Sequence, residues 1–202
     1  LQTPYYRVEQ DLKRGGAISR IALTHGRADN LLVSPLESRV LGEGGAVWSD
    51  LNDSAATVAH RREDQSEIVT VESELKGGDG RACGIRVKST YRYRWGYVRV
   101  RKEFTAAAGL RAGGVCPVRA VVAGSLMHYG YRDGRTEEQG VGPFAFGSNI
   151  WGKLRPGQAS DRPVRTSQVP RSVTLTDPGV EGLEWFASSD LAQWNVQLTG
   201  RR

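Results

Sequence analysis

The chain has 202 residues, 39% of them hydrophobic and 25% charged, values that exclude a fibrous repeat and a wholly disordered polypeptide. No apolar run approaches the ~18 residues of a membrane-crossing helix, so no membrane partner is expected. Arginine carries nearly all of the positive side of the +6 net charge, since only five of the 28 basic residues are lysine; guanidinium forks suit carboxylate, sulfate or phosphate, while an arginine-biased base composition explains the same count without a ligand.

The length fits one domain, 1–202, standing alone or as part of a longer protein. The opening Leu1-Gln2-Thr3-Pro4 reads as a processed product or a piece of a larger chain, and an extracellular or periplasmic location is favoured. In chain order, the expected strands are Tyr5–Gln10, Ala17–Thr24, Ser38–Leu41, Thr57–Arg62, Glu67–Leu75, Ile85–Phe104, Val118–Leu126, Ser172–Thr176, Gly182–Phe186 and Asn195–Leu198. Lys13-Arg14-Gly15-Gly16, Gly77-Gly78-Asp79-Gly80 and Asp133-Gly134 supply the turns between them. Thr105–Arg111 and Ser189–Trp194 are too short for stable helices. This spacing predicts an all-β fold, a two-sheet antiparallel β-sandwich of supersandwich or jelly-roll-like form. The Gly/Pro-rich stretch from Asp133 to Pro170 is expected as a long surface excursion, the length at which loops become functional.

Ile85 to Phe104 is the most informative segment. Ile85, Val87, Tyr91, Tyr93 and Trp95 alternate with Arg86, Lys88, Arg92 and Arg94, and beyond Gly96 the apolar phase moves to Val98, Val100 and Phe104. A one-residue slip exchanges the faces of a strand, so a bulge or break is predicted near Trp95–Tyr97. The outward face then carries Arg86, Lys88, Arg92, Arg94, Tyr97, Arg99, Arg101 and Glu103. Two readings of that face stand side by side: a solvated surface whose long stems shield the sheet, or a binding face for an acidic glycan or single-stranded nucleic acid.

Two clusters carry groups suited to sugar chemistry. Around His128, Tyr129, Tyr131 and Arg132, an arginine can neutralise a uronate carboxylate while a tyrosine or histidine removes the C5 proton, as lyase chemistry requires. Around Glu184, Trp185, Asp190 and Trp194, carboxylates lie near indoles whose faces stack on pyranose rings, and Glu184 with Asp190 is the one glycosidase pair a turn can assemble. The competing reading makes Trp185, Phe186 and Trp194 core anchors. Arg99 and Arg101 join Trp185, Asp190 and Trp194 as expected ligand contacts.

Other chemistries find little support. Cys83 and Cys116 lack metal-ligand spacing and are either one disulfide or two free thiols. His25 and His60 stand alone in the sequence, and no metal site or cofactor is expected. Gly44-Gly45 and Gly77-Gly78-Asp79-Gly80 fit no phosphate-binding motif. Asp50, Asn52 and Asp53 offer oxygen ligands without the glycine and glutamate of a calcium loop, and a capped turn explains them.

The opening Tyr5-Tyr6-Arg7-Val8-Glu9, Asp11 to Ile21 with its Gly15-Gly16 turn, and Asn30-Leu31-Leu32 resemble the first hairpin of galactose mutarotase-like sandwiches. Gly182-Leu183-Glu184-Trp185-Phe186 is similar to a segment of sandwich domains that accompany glycosidase barrels. The resemblance implies a sandwich found in aldose epimerases and in domains of glycoside hydrolases and polysaccharide lyases, hence a carbohydrate ligand. His128 and Glu184 are the counterparts of the epimerase pair, but His128-Tyr129-Gly130-Tyr131 departs from that motif and speaks against epimerase activity. The expectation is a carbohydrate-associated domain that binds a polysaccharide or sugar or acts on it by lyase or hydrolase chemistry. The alternative is a non-catalytic module, including a basic-sheet nucleic-acid binder. The sequence specifies neither the substrate nor the oligomeric state.

Overall fold

A computed structural model describes residues 1–123, 126, 128–132, 137–141, 148–149, 172–177, 181–186 and 197–198. The chain falls into two compact units, Leu1–Ala123 and Gly124–Arg202. Among the described residues every paired strand is antiparallel and no α-helix occurs. The expected all-β sandwich is the fold found.

In the first unit, β1 (Tyr6–Asp11) and β2 (Ala17–Leu23) form a two-stranded sheet. The remaining strands are β3 (Leu32–Leu41), β4 (Val47–Ser49), β5 (Thr57–Glu63), β6 (Ser66–Lys76), β7 (Ala82–Arg94), β8 (Tyr97–Ala106) and β9 (Gly114–Val122). They make one seven-stranded sheet in the order β8-β7-β6-β4-β3-β9, with β5 also paired to β6. β6 is long enough to hold two neighbours on one edge: β5 pairs along Ser66–Glu72, and β4 meets it at Lys76.

Alternation drives one face of the large sheet inward. Val40, Leu75, Ile85 and Val87 form a buried cluster against Trp48, Cys83, Phe104 and Leu110. Each such side chain contributes about 1.5–3 kcal/mol through burial. The β1–β2 hairpin covers this face, burying Tyr6, Val8, Ala17 and Ile18. Its turn lies so close to the large sheet that a Cβ on Gly16 would meet Val71 Cγ1 at 2.7 Å. Asn30, the first residue of the Asn-Leu-Leu segment, fastens β2 to the start of β3: its Oδ1 accepts from the N–H groups of Ile21 and Leu32, and its Nδ2 donates to the Ser19 carbonyl.

One expectation is corrected. Of the bulge or break expected near Trp95–Tyr97 the break is found: Ile85–Phe104 is not one strand but a hairpin, with Arg94 paired to Tyr97 across the two-residue turn Trp95-Gly96. A two-residue turn pairs odd with even positions, and that is the physical origin of the phase change. The face assignment survives the correction, because the register places Arg86, Arg92 and Arg94 on the same face as Arg99 and Arg101. Trp95 leaves the apolar side that alternation gave it and stands 59% exposed in the turn. Cys83 and Cys116 are free, partly buried thiols on β7 and β9, with β6, β4 and β3 between them in the sheet, so no disulfide joins them.

The second unit contains a four-stranded sheet in the order β11-β10-β13-β14. Its strands are β10 (His128–Arg132), β11 (Glu137–Val141), β13 (Ser172–Thr176) and β14 (Gly182–Phe186). β12 (Ser148–Asn149) pairs with β15 (Gln197–Leu198). Within the Asp133–Pro170 excursion, Glu137–Val141 and Ser148–Asn149 are paired strands; the rest of it, and Ser189–Trp194, lie outside the described residues.

Candidate functional site

The tip of the β7–β8 hairpin gathers exposed aromatic rings and arginines. Tyr5, Trp95 and Tyr97 are 56%, 59% and 51% exposed, and the rings of Tyr5 and Trp95 are tilted against each other with centroids 5.5 Å apart. The backbone beneath them is held firmly. Tyr6 Oη, which is buried, shares its proton between the carbonyls of Arg94 and Tyr97. Burial pushes the Tyr6 hydroxyl up to about 12, against the smaller opposing effect of its bond to Arg94, so it remains a donor.

Behind the tip, the outer face of the hairpin is basic. Arg92 stands directly opposite Arg99, and Thr90 opposite Arg101. Arg92 meets Glu63 at 3.2 Å and Arg101 meets Glu103 at 2.6 Å, while Arg94 Nε donates to Ser66 Oγ. Among the described residues no carboxylate lies within ion-pair distance of Arg86 or Arg99. Like charges directly opposite on neighbouring strands repel. Glu63 matches the Arg92 charge, which leaves Arg99 as the member of the pair without a described carboxylate, about 7 Å, one two-residue step, behind the Arg94–Tyr97 pair that closes the hairpin.

A second polar group lies inside the first unit. Glu37, on β3, is buried with Arg39 Nε at 2.6 Å, Arg119 at 3.1 Å and the Ser49 hydroxyl donating at 2.6 Å. Burial alone raises a carboxyl, but these contacts outweigh it and hold Glu37 below the usual range. Asp50 is buried beside Lys102, and burial pushes its carboxyl up despite the lysine charge and the Ser38 N–H bonded to it. Asp53 behaves oppositely: bonds from Glu74 N–H, Lys76 Nζ and Ala55 N–H outweigh its burial and lower it. Asp50, Asn52 and Asp53 thus serve a capped turn, in which Ser49 also accepts from Leu51 N–H. No group of metal-binding side chains occurs among the described residues.

The sequence-predicted clusters share one sheet. His128, Tyr129, Tyr131 and Arg132 lie on β10, and Glu184 and Trp185 on β14, with β13 between them. Register aligns Gly130 with Thr174 and Thr174 with Glu184, and Tyr131 with Val173 and Val173 with Trp185. Glu184 is exposed and Trp185 half-buried, while Asp190 and Trp194 lie outside the described residues. Sequence reasoning missed the Glu37, Asp50 and Lys102 group. One signal was available: Lys102 occupies the inward phase between Val100 and Phe104.

No family model, curated protein or solved structure matches the chain.

Proposed function

We propose that the chain is a binding module for an acidic polysaccharide, recognised at the tip and outer face of the β7–β8 hairpin. The observations that carry this reading are the exposed Tyr5–Trp95 ring pair at the hairpin tip and, two residues along β8 from Tyr97, Arg99, which is not neutralised by any described carboxylate. Aromatic faces stack on pyranose rings, and arginine forks take carboxylate or sulfate groups in a bidentate way. The Tyr6 hydroxyl, bonded to the Arg94 and Tyr97 carbonyls, preorganises the tip and reduces the ordering cost of binding. The resemblance of the opening hairpin and of Gly182–Phe186 to domains of carbohydrate-active enzymes supports the same ligand class.

The test compares polygalacturonate, heparin, a neutral glucan and single-stranded DNA by calorimetry, with the wild type and with Trp95→Ala and Arg99→Ala. Each substitution is expected to weaken binding to an acidic glycan about tenfold, as for the loss of one stacked or charge-assisted contact. Binding to the neutral glucan alone, or to none of the four, would sink the proposal. Preferential binding to DNA with a steep salt dependence would assign the face to nucleic acid instead.

A further inference from the structure

Lys102 and Asp50 are an ion pair of an unusual kind. Their side chains are 7% and 2% exposed, yet Nζ lies 3.6 Å from Oδ2, too far for a hydrogen bond. Lys102 Nζ donates instead to Tyr91 Oη at 3.1 Å and sits 5.3 Å from the centre of that ring. Asp50 Oδ1 accepts from the Ser38 N–H at 2.9 Å. Lys76 and Asp53 show what an ordinary pair looks like here: they are hydrogen-bonded at 2.9 Å, and Asp53 is held ionised.

Two enclosed charges without a mutual hydrogen bond recover little of their desolvation cost. An amide can form between them only through the neutral pair, in which one ammonium proton has passed to the carboxylate, and enclosure away from water lowers the cost of reaching that form. Burial drives the Asp50 carboxyl towards its neutral form, against the Lys102 charge and the Ser38 hydrogen bonds. A neutral amine is a nucleophile, and a carboxylic acid held against it is an acceptor with water as leaving group. Fixing the two in contact gives a high effective concentration, and the closed surroundings exclude competing water.

We propose that Lys102 and Asp50 become joined by an intramolecular amide bond. Nζ attacks Asp50 Cγ, the new C–N bond forms, and one Cγ–O bond breaks. The departing oxygen leaves as water with two protons, one from the amine and one from the acid; Tyr91 Oη, bonded to Nζ, is placed to relay the first. No oxidant, metal or nucleotide is needed. The bond ties β8, an end strand of the seven-stranded sheet, to the turn after β4, closing a long loop and preventing the edge from peeling away.

The experiment is the intact mass of the folded full-length chain, held at neutral pH until the mass stops changing, followed by peptide mapping. The expected mass is one water below the sequence mass, with a branched peptide joining the Asp50 and Lys102 segments. Lys102→Arg keeps the charge but not the reactive amine, and is expected at its full sequence mass. Asp50→Asn is expected to react with loss of ammonia instead. A wild-type mass equal to the sequence mass, or a water loss that maps to other residues or persists in Lys102→Arg, would overturn the proposal whether or not any variant folds.

Discussion

Glu37 illustrates how a buried charge is made tolerable. Its carboxylate is enclosed, but two guanidinium groups and a hydroxyl converge on it. Replacing it with glutamine leaves Arg39 and Arg119 facing an uncharged partner, and because both arginines remain about one-third exposed the cost is at the lower end for a broken pair, about 2 kcal/mol. The carboxyl is lowered in the fold, so the unfolded chain binds that proton more readily; the stability it contributes is complete above the unfolded value of about 4.3 and is lost as pH falls through the folded one. Urea unfolding of Glu37→Gln and wild type should therefore differ at neutral pH and converge as the pH falls below the unfolded value and through the lower folded one. A difference that stays constant across that range would contradict this account. Little of this was legible in a single sequence: Arg39 is two residues from Glu37 on β3, but Arg119 and Ser49 reach the carboxylate only through the pairing of β3 with β9 and with β4.

At the scale of elements, hairpins were the legible unit. The β1–β2 hairpin was recognised from alternation around a Gly-Gly turn, and β13 and β14 were read with the bounds they have. The reason is that turn chemistry and two-residue periodicity are local. Why Gly15 must be glycine was not local. Its φ is +66°, and a Cβ there would overlap the Asp50 carbonyl oxygen, whose turn also accepts the Gly15 N–H through Asp53 O at 2.7 Å. Gly15→Ala is expected to cost about 2–4 kcal/mol, by combining backbone strain with a collision. Gly44→Ala, at φ +70° with nothing within 4 Å, should cost about 1 kcal/mol. Equal losses for the two in denaturant titrations would remove the collision from the explanation. The β7–β8 hairpin shows the opposite failure: the phase change was located correctly, yet a bulge and a two-residue turn shift parity alike, and only pairing distinguishes them.

For the whole molecule, the first unit contains its own core, its covering hairpin and the aromatic-basic tip. It also closes on itself at its last residue, where the Ala123 N–H donates to the Leu31 carbonyl. Residues 1–123 expressed alone are expected to unfold in one cooperative transition and to retain the glycan binding of the full chain. A fragment without cooperative unfolding would instead make 1–202 the folding unit, as the length suggests. The all-β class, the turns and the outward basic face followed from the sequence alone, because alternation, glycine placement and charge are properties of neighbours along the chain. Which strands pair, which charges are enclosed, and which aromatic ring stands over the hairpin tip were decided only by the tertiary structure, because those depend on contacts between segments that share no local signal.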